Sequence, residues 1–174
     1  MPASPDPVSE PDRYRALLFL LVGEDDPAEV QAATGGALRA IIADAGDRLR
    51  TRPEPAEWSP LECVAHVVQA EIVYAARYRW ILAHDSPPLI GYDQDLWVDR
   101  LHGNDADPDA LFELFDVLRR ANLALWERTP ESERSRAGMH EERGPETYGD
   151  SFLLIAGHDR FHIDQGRRAV AAVV

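Results

Sequence analysis

The sequence predicts an all-α protein, a four-helix bundle with a long crossover between its second and third helices. Four long segments carry apolar residues at the three- and four-residue spacing of amphipathic helices. Proline- and glycine-containing breaks separate them, and no segment has the alternating pattern that is typical of a sheet protein. The 174 residues suit one domain, so residues 1–12 are predicted to be a flexible tail and residues 13–174 a single domain.

The start of the bundle is predicted from periodicity and helix caps. The first long helix is expected from Pro27 to Arg50, and a short extra helix is expected before it, from Tyr14 to Val22. The second long helix begins at Ser59–Glu62, where a capping serine, an N1 proline and a glutamate form a capping box. It continues to about Ala83 with apolar residues nearly all round, which predicts a buried helix.

The second half of the chain supplies the other two helices. The third begins at Asp107 and continues to about Thr129, and the fourth begins near a second capping box at Thr147–Asp150 and continues towards Val170. The connection from His84 to Ala106 has 23 residues, enough to span the length of a bundle. It therefore permits the second and third helices to run in the same direction.

Composition and charge exclude several classes of function. The chain has 31 acidic residues against 18 arginines, with no lysine, and its formal net charge is −13. Such a surface repels phosphate groups, so we expect neither nucleic acid nor membrane as a partner. No apolar segment approaches the roughly 20 residues of a membrane helix, and the longest near the start lacks the positive flank of a signal peptide. With one cysteine, Cys63, a cytoplasmic location is expected.

Two histidines of the fourth helix form the clearest candidate site. His158 and His162 are four residues apart, so both imidazoles lie on one helix face and can reach a single ion. That face also holds Ile155, Gly166 and Ala169, which places it towards the core, and Gln165 can orient a ligand or a bound water. A helical H-x-x-x-H pair by itself is nevertheless more often an ordinary pair than a metal site.

A third histidine, His66, lies in the second helix among apolar neighbours, where a lone histidine is usually a core residue. Its helix face also holds Glu62, Ala70, Val73 and Arg77. Such a mixed face is typical of a polar interior pocket and equally of an exposed surface. The pattern leaves both interpretations open.

The sequence E-W-S-P-L-E-C-V-A-H-V-V-Q-A-E, at residues 57–71, is followed some 90 residues later by H-D-R-F-H-I-D-Q. Together they resemble the DinB-like superfamily of bacterial proteins, and most closely its branch of YfiT-like metal-dependent hydrolases. The resemblance extends from about Pro27 to Val170. It implies a DinB-like four-helix bundle, frequently dimeric, with a divalent metal ion held by His66, His158 and His162.

Three histidine ligands imply an enzyme, because a structural zinc site is normally closed by a fourth protein ligand. Zinc or nickel is expected, with iron or manganese as alternatives. The open position can activate water for hydrolysis, or hold a low-molecular-weight thiol as the thiolate for transfer. The expected partners are a small-molecule substrate and a second copy of the chain. The alternative is a non-catalytic, metal-stabilised dimeric bundle that acts as a binding or stress-response module.

Further candidates have ordinary explanations beside the functional ones. Glu62 is the best-placed carboxylate for a general base, although the capping box also explains it. Cys63 can approach the same ion, but a small buried hydrophobe is favoured. Asp159 projects away from the histidine face and is expected in a surface or interhelix salt bridge.

The remaining candidates lie in or beside loops. His84, His102 and His140 are expected to be solvated. Tyr92 and Trp97, in the crossover, are expected near the mouth of a pocket at the metal end of the bundle, although packing onto the bundle end is equally natural.

Overall fold

The computed structural model describes residue 5 and residues 9–173. In this part of the chain four long helices form the bundle, and two shorter helices and three short strands complete the fold. The helices are α1 (Pro11–Val22), α2 (Pro27–Ala45), α3 (Pro60–Ala83), α4 (Gln94–Arg100), α5 (Pro108–Arg128) and α6 (Tyr148–Val173), and the strands are β1 (Pro88–Leu89), β2 (Ala137–His140) and β3 (Gly144–Thr147). No helix among the described residues combines the length and the hydropathy needed to cross a bilayer.

The predicted capping boxes are present at both sites. The Ser59 hydroxyl accepts a hydrogen bond from the Glu62 amide at 3.1 Å, and the Glu62 carboxylate accepts one from the Ser59 amide at 2.7 Å. At the start of α6, the Thr147 hydroxyl accepts from the Asp150 amide at 2.9 Å and the Asp150 carboxylate from the Thr147 amide at 3.4 Å. Each box satisfies amide groups that the first helical turn leaves without partners.

The first part of the chain contains two differences of detail. The extra helix is confirmed as α1, but it begins at Pro11, so the last two residues of the predicted tail are helical. The rest of that tail, apart from residues 5, 9 and 10, lies outside the described residues. The helix predicted to end at Arg50 ends as α2 at Ala45, where Gly46 has a φ of 48° and begins a 3-10 turn.

The bundle has the helix directions that the long crossover permits. In α3, Glu71 is bonded to Arg119 of α5, and Arg79, further along α3, is bonded to Asn122, further along α5. Helices α3 and α5 are therefore parallel. Helices α2 and α6 are also parallel, because Gln31 contacts Phe152 and, further along both helices, Gly166 lies against Ile41. Each parallel pair is antiparallel to the other.

A small sheet, which was not expected, lies beside the bundle. Its strand order is β1-β2-β3, with β1 parallel to β2 and β2 antiparallel to β3. Strands of two to four residues are too short for an alternating apolar pattern to appear in the sequence. The sheet connects the crossover to the hairpin that precedes α6.

Among the described residues, the interior contains two large apolar clusters with a polar layer between them, and a smaller third cluster of Trp58, Cys63 and Val98. One cluster is made of Leu38, Ile41, Val64, Val67, Val68, Phe112, Phe115 and Ile163. The other contains Ala70, Tyr74, Tyr78, Ile81, Leu89, Tyr148, Phe152 and Ile155. Between them lie the buried side chains of Thr34, Glu71, Arg119, Asn122 and Asp159. As predicted, α3 is buried on most of its sides.

Candidate metal centre

The three histidines identified in the sequence come together inside the bundle. His66 is supplied by α3 and His158 and His162 by α6, and a ring nitrogen of each lies within 4.8 Å of those of the other two. All three side chains are buried. The mixed face of α3 that carries His66 therefore faces the interior and not the solvent. No other group of three or more such candidate ligands occurs among the residues that the structure describes.

The rings are held by their surroundings. Nε2 of His66 lies 3.0 Å from Nε2 of His158. Nδ1 of His162 lies 2.8 Å from the Gln165 amide oxygen, so Nδ1 carries the proton and Nε2 keeps a free lone pair. The Trp58 ring stacks on His162, with an interplanar angle of 18° and a centroid distance of 5.8 Å. Gln165 therefore contacts His162, one of the candidate ligands, as the sequence led us to expect.

The electrostatics of the cluster fit a cation. Burial, together with the neighbouring histidines, lowers the pKa of His66 and of His162 well below the ordinary value. Burial, followed by Arg119 and Arg143, lowers the pKa of His158 to about 3. The imidazoles are therefore neutral at pH 7, the form that binds metals. Among the described residues, one nitrogen of each ring is buried without a hydrogen-bond partner, namely Nδ1 of His66, Nδ1 of His158 and Nε2 of His162, while the Nε2 atoms of His66 and His158 face each other. Three neutral imidazoles so close together are donors that suit a divalent ion.

Asp159 forms the predicted interhelix salt bridge, and that bridge is buried. Its Oδ2 accepts hydrogen bonds from Arg119 at 2.6 Å and from the Thr34 hydroxyl at 2.7 Å. Arg119 also donates to Glu71 at 2.8 Å, and Asn122 donates to the other oxygen of Glu71 at 2.8 Å. This polar layer holds α6 against α2 and α5 at the turn that carries His158.

Glu62 and Cys63 do not belong to the group of candidate ligands, which consists of the three histidines. Besides accepting from the Ser59 amide, the Glu62 carboxylate accepts hydrogen bonds from Nε of Arg52 at 3.1 and 2.8 Å. Both of its oxygens are therefore occupied. Cys63 is buried, and burial, with Glu62 as the next cause, raises its pKa to about 12, which keeps the thiol protonated.

The loop candidates divide into two groups. His84 and His102 are exposed, as expected, but the expectation that His140 is solvated is wrong. Strand β2 turns His140 inward, and burial, with Arg143 and Arg77, lowers its pKa to about 4. Tyr92 lies near the histidine cluster as predicted, with its ring 6.4 Å from that of His66, and Trp97 packs on Tyr92 at 4.6 Å.

Two cavities adjoin the histidine cluster. One, of about 150 Å³, reaches His158, and the other, of about 550 Å³, reaches His162. Sequence reasoning did not identify the cationic wall of the smaller cavity, to which Arg77 and Arg143 contribute. The sequence contained one indication of this wall, since Arg77 is a charged residue on the same helix face as His66.

The fold and the site together define a four-helix bundle with two parallel helix pairs and a buried three-histidine cluster between α3 and α6. The family model of the DinB superfamily matches residues 29–165, and the chain belongs to that superfamily. Among solved structures, YfiT from Bacillus subtilis is similar over 97% of this chain and 90% of its own, with a TM-score of 0.73 and 18% identity. This likeness shows a shared fold. No curated protein matches the chain.

Proposed function

We propose that the protein is a metal-dependent hydrolase in which His66, His158 and His162 hold a divalent ion. The observation that carries this proposal is the meeting of three buried, neutral imidazoles from two helices, with one ring nitrogen of each within 4.8 Å of those of the other two. YfiT, whose solved structure is similar to this chain, is described as a probable metal-dependent hydrolase. This description supports the same class of function here.

A divalent ion with three protein ligands has an open position and lowers the pKa of bound water to about 7. Side chains around the cluster orient the histidines and shield them from solvent. Gln165 orients His162, Trp58 covers His162 from outside, and Tyr92 lies above His66, so solvent has limited access. The contacts of Glu62 support a role in the helix cap over a role as general base. Zinc or nickel is the proposed ion, with iron or manganese as alternatives.

Transfer of a small thiol is the second candidate, and the presence of two cavities favours it. A transferase needs room for a thiol and for an electrophile, and the cluster has one cavity at His158 and another at His162. The open metal position would then hold a thiolate as the nucleophile.

Elemental analysis of protein purified without a histidine tag tests the metal site. We expect about one ion per chain in the wild type and at least about tenfold less in His66→Ala, His158→Ala and His162→Ala, because each variant removes a ligand. His84→Ala is the matched control, since His84 is exposed, and should retain the metal. Equal metal content in the wild type and His158→Ala would refute the proposal.

Activity assays then separate the candidate functions. Metal-dependent turnover of small esters is expected of a hydrolase, and metal-dependent loss of thiol groups in the presence of an electrophile is expected of a transferase. If added metal raises the melting temperature while neither reaction occurs, the protein is a non-catalytic, metal-stabilised bundle and both enzymatic proposals are wrong.

A further inference from the structure

We propose that the cavity beside His158 binds the carboxylate group of a small organic acid, and that Arg77 recognises this group. A small organic acid would then be the class of substrate on which the proposed metal-dependent hydrolase acts. That part of the proposal rests on the proposed function. Recognition of the carboxylate depends on the chain's own residues and is testable without metal.

Arg77 is a buried cation that forms no salt bridge with a carboxylate of the described residues. Its charge acts on the buried carboxylate of Glu146, but that carboxylate is salt-bridged to Arg143 at 2.7 Å. Its side chain is 2% exposed, and Nη2 donates to the Ile90 carbonyl at 2.5 Å and lies 3.3 Å from Nε2 of His140, which is neutral. Nε is buried without a partner, and no carboxylate of the described residues forms a salt bridge with this guanidinium. Buried charges are normally paired, because desolvation of an unpaired ion is costly. An anion from outside would complete the pair.

The other arginines of the cavity already have carboxylate partners. Arg143 donates to Glu146 at 2.7 Å, and Arg15 forms a salt bridge with Asp150 at 3.0 Å. Three carboxylates also line the cavity, but all are exposed to solvent: Asp93, Asp95 and Glu142. One positive charge therefore remains unbalanced in the interior, which suits a monoanion. A planar carboxylate matches the guanidinium fork, whereas a phosphate dianion would exceed the available charge.

The walls of the cavity favour an acid with a compact apolar body. Tyr14, Leu18, Tyr74, Tyr92 and Leu154 supply aromatic and aliphatic surface, and the Arg77 guanidinium lies 4.8 Å from the centre of the Tyr74 ring. The volume of about 150 Å³ is that of a cavity that holds one benzene-sized group. Because His158 lines the same cavity as Arg77, an acid bound at Arg77 would lie beside the histidine cluster.

Calorimetric titration of metal-free protein with benzoate, and with its neutral analogue benzamide, tests the proposal. Metal must be removed because a carboxylate can also bind the ion. We expect the wild type to bind benzoate at least about tenfold more tightly than benzamide, because a charge-assisted bidentate contact is worth more than a neutral one. In Arg77→Gln the two affinities should agree within about twofold. Arg100→Gln, an exposed arginine of the crossover, should behave as the wild type.

Arg77→Lys keeps the charge without the fork and should retain only part of the preference, and circular dichroism checks that each variant is folded. Equal binding of benzoate and benzamide to the wild type would overturn the proposal whether or not the variants fold. So would an unchanged preference in folded Arg77→Gln, or tighter binding of inorganic phosphate than of benzoate. Since the titration uses metal-free protein, absence of metal in the elemental analysis would refute the proposed function and leave this result intact.

Discussion

At the scale of single residues, Arg119 is the cation that pairs with two buried carboxylates. It contacts Glu71 at 2.8 Å and Asp159 at 2.6 Å, and it also donates to the Gln31 carbonyl at 2.9 Å. Asp159 directly follows His158, so the same side chain fixes the turn of α6 that carries a candidate metal ligand. A buried network of this kind is stable only while every charge in it keeps a partner.

Replacing Arg119 by methionine should therefore lower the free energy of unfolding by about 3–5 kcal/mol, because two buried carboxylates lose their counterion. Urea unfolding of the wild type and the variant measures this effect. Arg120→Met, the exposed neighbour in α5, is the control. A loss of under about 1 kcal/mol would show that the network contributes little.

At the scale of elements, α1 is docked on α6 through Gly157. A Cβ added at Gly157 would lie 2.2 Å from the Leu18 carbonyl oxygen and 2.9 Å from its Cα, closer than real atoms approach. Arg160 of α6 holds the end of the same helix by donating to the Leu21 carbonyl at 2.7 Å. This contact positions the part of α1 that supplies Tyr14, Arg15 and Leu18 to the cavity wall.

Gly157→Ala should displace α1, since the obstructing atoms belong to backbone that cannot rotate away. We expect the free energy of unfolding to fall by about 1–3 kcal/mol and the affinity of metal-free protein for benzoate to weaken. Gly36→Ala is a matched control, because Gly36 also lies within a helix and a Cβ there would meet nothing within 4 Å. It should instead stabilise the protein, by about 0.5–1 kcal/mol. Similar effects of the two variants would contradict the proposed docking.

At the scale of the whole molecule, the adjacent helices α3 and α5 carry large apolar side chains that the bundle does not cover. Trp80 on α3 is 43% exposed, and Leu114 and Val117 on α5 are 42% and 54% exposed. Apolar surface of this kind is typical of sites where proteins associate. We propose that these helices form the interface of a homodimer, the assembly expected from the sequence.

Light scattering should accordingly give twice the chain mass of 19.4 kDa at micromolar concentration. Val117→Glu should shift the protein to the monomer, because it places a charge in the interface. Leu20→Glu provides the control, since Leu20 is exposed on α1, away from the proposed interface. A wild-type mass of 19.4 kDa, or equal masses for the two variants, would exclude this dimer.

Local signals in the sequence determined the long helices of this protein, and they did not reveal α4 or the three short strands. The 3.6-residue periodicity predicted α2, α3, α5 and α6, and capping residues located the starts of α3 and α6 within about a residue, because caps act on the first turn alone. The spacing of His158 and His162 also determined that both rings share one face of α6. Their convergence with His66 was expected from the resemblance to a family, since no local pattern connects two separate helices.

Tertiary structure alone decided which buried polar groups face one another. The burial of His140 depends on a sheet whose strands are too short to be recognised, and the pairing of Arg119 with Glu71 and Asp159 joins three helices. Within the described part of the chain, no carboxylate forms a salt bridge with Arg77, and this likewise follows from where the crossover and the sheet lie. Contacts between residues far apart in the chain depend on how the elements pack, and sequence periodicity describes each element separately.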